Sequence, residues 1–319
     1  MNAVSRADAA DAGHDFLELP DLASRALAGS VVAANDELFA ERENLIKPGP
    51  PTATTDFGNK GKIYDGWETR RRREPGNDWA VVRLGVPGVV RGVVIDTSHF
   101  TGNYPPEASV EGAAVEGYPS PGDVVGWLPL LARTRLAGDA VNAFPLVSED
   151  RVTHVRLSIY PDGGVARFRV HGECRPDRRL LTGTIDLAAI ENGGRVLDCS
   201  NRFYSSPNNI LMPGRASTMG DGWENARRRD AGNDHVTVQL AGRGRVRRIE
   251  IDTSYFVGNA PGSARVTGDS GVELVARVGL QPDTRHHFVV ETTTPVDTVR
   301  LDVYPDGGVA RLRVWGELE

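Results

Sequence analysis

The sequence predicts an all-β protein built from two tandem jelly-roll β-sandwich domains, and three observations carry that expectation. Short β-branched runs bounded by Gly and Pro dominate the chain. No long segment carries a clean helical stripe. Three motif blocks occur twice, in the same order, which marks an internal duplication.

The first block is "DGWETRRRREPGND" at Asp65 and "DGWENARRRDAGND" at Asp221, 156 positions apart. The second, "IDTSHFTGN" at Ile95 and "IDTSYFVGN" at Ile251, keeps that spacing of 156. The third, "YPDGGVARFRVHGE" at Tyr160 and "YPDGGVARLRVWGE" at Tyr304, has a spacing of 144. The first copy therefore carries extra residues between its second and third blocks. "GYPSPGDVVGWLP" at Gly117 is Pro- and Gly-rich and is expected to be that insertion, as a surface loop. A fainter match pairs "ERENLIKPG", ending at Gly49, with "PNNILMPG", ending at Gly214. A unit this long is a domain rather than a solenoid repeat. The expected organisation is a disordered lead-in over 1–14, a first domain over 15–177 and a second over 178–319.

"WAVVRLG" at Trp79 and "VRGVVIDTS" at Val90 read as two strands. "HVRLSIY" at His154 and "VARFRVHG" at Val165 flank "PDGG" and read as a hairpin. In the second arm Ala166, Phe168 and Val170 share one face, while Arg167, Arg169 and His171 share the other. The second copy repeats this with Ala310, Leu312 and Val314 against Arg311, Arg313 and Trp315. Short helical turns are expected in "FAERENLI" at Phe39 and in "DLAAIENGG". In the latter, Asp186 is the expected N-cap and Gly193 the stop.

Composition narrows the function classes. The chain has 319 residues, of which 39% are hydrophobic and 25% charged, with a net charge of −6. That balance argues against a general nucleic-acid or membrane-surface role. No apolar run approaches the roughly 18 residues of a membrane span. The N-terminus is polar and has no signal-peptide centre. Cys174 and Cys199 have no metal or disulfide spacing, so the cytoplasm is the simplest compartment. Sheet edges make a homo-oligomer plausible.

The order "YDGWE…DWAVVRLG…VRGVVID" resembles the galactose-binding-like jelly roll. The three blocks together, twice over roughly residues 15 to 319, resemble the allantoicase (allantoate amidinohydrolase) family. That resemblance implies two jelly-roll domains. It also implies a hydrolase converting allantoate and water to ureidoglycolate and urea in allantoin degradation, with a small-molecule substrate. The alternatives are a tandem carbohydrate-binding protein without catalysis and a hydrolase of a neighbouring ureido compound. A chain with 7% aromatic residues is poor in the platforms a sugar-binding module needs.

Such a substrate requires a cation for its carboxylate, polar partners for its ureido groups, an acid for the departing urea nitrogen and a base for water. Arg71, Arg72 and Arg73 are candidates for a carboxylate clamp, Arg71 and Arg72 first, since the second copy keeps Arg227, Arg228 and Arg229 but replaces Arg70 with Ala226. Asp65 and Glu68 are candidate acid and base, with loop capping as the competing role. Asp96, after Val93, Val94 and Ile95, and His99 form the preferred acid–base pair, provided the strand ends near Thr97. The second copy has Asp252 but Tyr255 and has His235 in place of Trp79, which points to the first copy as catalytic. Asn103, Arg167, Asp252 and Arg311 are candidate substrate contacts. The sequence requires no cofactor and leaves divalent metal open: seven His show no H-x-H or H-E-x-x-H pattern. There is no G-x-S-x-G for a serine nucleophile.

Overall fold

The computed structural model describes residues 16–319, so the lead-in expected over 1–14 lies outside the described residues. The chain divides between Arg175 and Pro176 into two units. In the first, the strands are β1 (Ser30–Ala34), β2 (Phe57–Gly58), β3 (Gly61–Lys62), β4 (Trp67–Glu68), β5 (Asp78–Asp96), β6 (Glu107–Ala113), β7 (Leu128–Arg135), β8 (Val141–Pro145), β9 (Arg151–Tyr160), β10 (Gly164–Val165) and β11 (Arg167–Cys174). In the second they are β12 (Ile185–Asp186), β13 (Arg195–Cys199), β14 (Asp234–Asp252), β15 (Ser263–Gly268), β16 (Glu273–Gly279), β17 (Arg285–Val289), β18 (Val296–Tyr304) and β19 (Arg311–Leu318). Every helix among the described residues is a short 3₁₀ turn.

The two expected strands at Trp79 and Val90 are one element, the 19-residue β5. Its register shows that it doubles back. Asp78 lies opposite Ile159, Gly88 opposite both Val152 and Cys174, and Asp96 opposite Arg167. The bend runs through Leu84–Gly88. There the backbone of Leu27 passes so close that a Cβ on Gly85 would sit 1.9 Å from its carbonyl oxygen. Both ends of β5 thus meet the Pro161–Ala166 turn. The Asp78 N–H donates to the Pro161 carbonyl at 3.1 Å and the Ala166 N–H to the Asp96 carbonyl at 2.7 Å.

This corrects the expected "PDGG" hairpin. β9 and β11 do not pair with each other; each pairs with its own half of β5. The turn arches from one half of β5 to the other. Gly163, at φ 142°, is required there, because a Cβ would also meet the Pro105 nitrogen at 2.6 Å.

The core follows the alternation read in the sequence. Phe168 and Val170 are fully buried with Val82, Val93, Ile95, Leu157 and Trp67. Each large apolar side chain contributes about 1.5–3 kcal/mol by leaving water. Trp67 and its counterpart Trp223 are also hydrogen-bonded through the indole N–H, to the Asp36 and Asn201 carbonyls at 2.7 and 2.9 Å.

The second unit repeats the plan, with β14 running from Asp234 opposite Val303, through Gly244, to Asp252 opposite Arg311. Individual bonds recur. Asn44 and Asn209 each donate to the carbonyl of the motif glycine, Gly66 or Gly222, at 2.9 Å. Asp21 and Asp186 each accept the N–H of the core valine, Val170 or Val314, at 2.9 Å.

Two insertions distinguish the first unit. The β6–β7 connection, 114–127, replaces the short turn at 269–272, as expected for the segment at Gly117. The other lies at 50–64 and carries the β2–β3 hairpin. Its signal was the change in spacing from 165 at Gly49/Gly214 to 156 at Asp65/Asp221. The expected helical turns are Arg42–Ile46 and Ile190–Asn192. The latter is capped by Ala189, while Asp186 accepts the Ala188 N–H and Gly193 ends the turn in the left-handed region.

Candidate active site

Because β5 returns to its starting end, the first and second blocks and the "YPDGG" turn gather at one end of the first unit. β4 pairs with β10, Glu68 opposite Gly164, so the "DGWE" loop lies directly on the "PDGG" turn. The Thr69 N–H and hydroxyl both donate to the Gly163 carbonyl, at 3.2 and 3.4 Å. In the second unit Asn225 donates its Nδ2 to the Gly307 carbonyl at 3.1 Å and its Oδ1 accepts the Gly307 N–H at 2.8 Å.

The Asp65 carboxylate accepts the Arg167 Nη2 at 2.6 Å and the Thr52 N–H at 2.9 Å, with Lys47 at 3.5 Å. Although partial burial works the other way, hydrogen bonds from Arg167 and Thr52 hold Asp65 below the usual carboxylate range. It is therefore an ionised brace rather than a proton donor. Arg167 is 2% exposed and also donates to the Asp65 and Ala166 carbonyls. Arg167 and Arg311 lie on the strand face opposite the apolar one, as the alternation predicts, yet both are buried there. Arg311 is 5% exposed and bonded to the Asp221, Ala310 and Gly214 carbonyls. Burial and neighbouring Arg313 lower its pKa to about 10. The Asp-Gly loop covers what a bare strand would leave exposed.

Glu68 differs from Asp65. Its Oε1 accepts the Asn103 Nδ2 at 2.7 Å, and burial raises its carboxyl pKa above the ordinary value. The second unit keeps the pair, with Asn259 donating to Glu224 at 2.6 Å.

Regular strand ends at Asp96, whose Oδ1 accepts the Ser98 N–H at 2.8 Å; Asp252 does the same for Ser254. His99 follows at φ 70°, its N–H donated to Asp139 at 2.7 Å and its Nε2 3.4 Å from the Pro51 carbonyl. Tyr255 has the same φ and an Asp283 partner. The turn geometry is thus common to both units and only the side chain differs. Asp96 and His99 make no hydrogen bond to each other among the described residues; Asn103, four residues after His99, is the residue that bonds Glu68.

Arg72 is committed to the protein. Its N–H donates to Asp162 at 2.7 Å and its guanidinium to Asp78 at 3.1 Å. The arginine run lines a cavity of about 380 Å³ in which Asp96 and Arg167 take no part. Among the described residues no three His, Cys, Asp or Glu side chains are grouped to hold a metal ion.

The fold defines a duplicated jelly-roll protein in which the motif blocks gather at the turn end of each repeat. The chain belongs to the allantoicase family: the family model described as the allantoicase repeat matches residues 20–175 and again 185–319. It is 59% identical over 314 residues to a probable allantoicase of Nocardia farcinica, covering 95% of both chains. It is 41% identical over 320 residues to the allantoicase of Dictyostelium discoideum, covering 93% of this chain and 86% of that one. The crystal structure of allantoicase from Saccharomyces cerevisiae superposes with a TM-score of 0.81 at 36% identity, covering 98% of each chain. No helix among the described residues is long and apolar enough to cross a membrane.

Proposed function

We propose that this chain hydrolyses allantoate to ureidoglycolate and urea in allantoin degradation, with the first repeat carrying the chemistry. Membership of the allantoicase family over both repeats is the observation that carries the reading. It disfavours a purely carbohydrate-binding role.

Allantoate carries two ureido groups and a carboxylate on one carbon. Urea leaves only if its nitrogen gains a proton as the C–N bond breaks. Glu68 is suited to that step, because burial keeps its carboxyl protonated to higher pH than a free glutamate. Its proton passes to the departing nitrogen, which takes the bonding electron pair. The lone pair of the remaining ureido nitrogen supports the electron-poor carbon. Water then forms the new C–O bond and gives its proton to His99, on the same turn as Asn103. Asn103 orients the Glu68 carboxyl, and the Asp65–Arg167 pair fixes the loop that bears it. Asp96 shapes the turn through Ser98. Asp252 and Arg311 hold the equivalent framework in the second repeat. The cytoplasm is the proposed compartment, on cysteine usage.

The test is the purified protein with allantoate, assayed for one urea and one ureidoglycolate per turnover, with and without added divalent cations. Absence of both products under all conditions sinks the reading. Turnover of ureidoglycolate but not allantoate moves the activity to a neighbouring ureide.

A further inference from the structure

The arginine run separates into two classes. Arg70 is ion-paired with Asp36 and Arg72 with Asp78. Arg71 and Arg73 are exposed and have no ion-pair partner among the described residues. The second repeat shows the same alternation: Arg228 lies 3.4 Å from Asp230 and 3.7 Å from Asp234, while Arg227 and Arg229 are exposed and without such partners among the described residues.

In the first repeat the four arginines share the cavity of about 380 Å³ with Asp36, Glu74 and Asp78. That is the size range of small-molecule sites, about 300–1,000 Å³. With Arg70 and Arg72 neutralised by their partners, Glu74 is the one acid in the cavity lining that is left to balance Arg71 and Arg73. One positive charge remains, which matches a single carboxylate. Arg72 stands between the two, pinned at its backbone by Asp162 and at its guanidinium by Asp78 and the Asn77 carbonyl. The residues on either side of it are thereby presented from a fixed point.

Resting on the proposed function, we infer that Arg71 and Arg73 together form the carboxylate clamp of the site, and that Arg72 with Asp78 positions them. This takes Arg72 out of the candidate clamp and leaves Arg71 and Arg73. Glu68 lies three residues before Arg71, so their Cα atoms are at most about 11 Å apart. Glu68 does not itself line the cavity, so the substrate's carboxylate is placed in the cavity with its ureido end toward Glu68.

Arg71→Gln and Arg73→Gln, both at exposed positions, are compared with the wild type by allantoate kinetics. Calorimetry then measures binding of ureidoacetate, which has one carboxylate and one ureido group, and of its neutral primary amide. Each variant raises the KM for allantoate and the Kd for ureidoacetate about 10–100-fold, with kcat within about threefold and binding of the amide unchanged. Arg71→Lys keeps the charge but not the planar fork, and falls between. The inference is overturned if both constants stay within about threefold of wild type. It is equally overturned if the amide loses as much affinity as the acid, which signals general damage. A wild type that releases no urea yet binds ureidoacetate through Arg71 and Arg73 defeats the function reading and leaves the clamp standing.

Discussion

The Asp65 carboxylate and the Arg167 guanidinium, 102 residues apart, meet at 2.6 Å, and the arginine is almost fully enclosed. This contact ties the first motif block to the third and sets the loop that carries Glu68. Removing the carboxylate leaves a buried cation with backbone carbonyls alone. Asp65→Ala is expected to cost about 3 kcal/mol, read from urea denaturation at neutral pH.

The same pair gives an acid-sensitivity. The folded pKa of Asp65 is depressed below the unfolded value of 3.8, so its contribution is complete well above that pH. It is lost as pH falls through the folded pKa. Asp65→Asn is expected to be less stable at neutral pH, with a shallower loss of stability on acidification below about pH 5. Parallel acid arms for the two proteins count against the assignment.

His99 and Tyr255 occupy the same left-handed turn position in the two repeats. His99→Ala is expected to lower turnover by about 10²–10⁴-fold with little change in unfolding, whereas Tyr255→Phe leaves turnover within about threefold. Equal losses would assign the chemistry to both repeats.

The inserted segment at 50–64 is the other asymmetry between the repeats. Pro51 and Thr52 touch His99 and Asp65, and Tyr64 stacks on Phe100 with ring centres 4.6 Å apart. Replacing it with the shorter equivalent, 215–220, is expected to preserve the fold, judged by circular dichroism, and to reduce turnover by about 10²-fold through misplacement of the site.

Much of the fold was legible because it rests on local rules. Alternation placed Phe168 and Val170 in the core, and the doubled blocks gave the two repeats. The doubling-back of β5 was not legible, since strand run and strand direction are the same to a propensity argument; only register with Val152 and Cys174 reveals it. Arg167 followed the alternation rule onto the other face, but that face is roofed by a loop from a hundred residues earlier. The candidate site was legible as residue types. Which arginines are ion-paired depends on Asp36 and Asp78, and the raised pKa of Glu68 comes from burial, neither of which sequence spacing identifies.

Glu68 is the residue on which the account depends. Its raised pKa means that folded protein binds this proton more tightly than the unfolded chain. Stability associated with the neutral form is therefore present below the unfolded value of 4.5 and is lost as pH rises through the folded pKa. The most direct measurement is urea release from allantoate by Glu68→Gln at neutral pH, alongside its unfolding free energy. The account predicts turnover lowered by about 10²–10⁴-fold in a protein at least as stable as the wild type. Near-wild-type turnover in Glu68→Gln would contradict it.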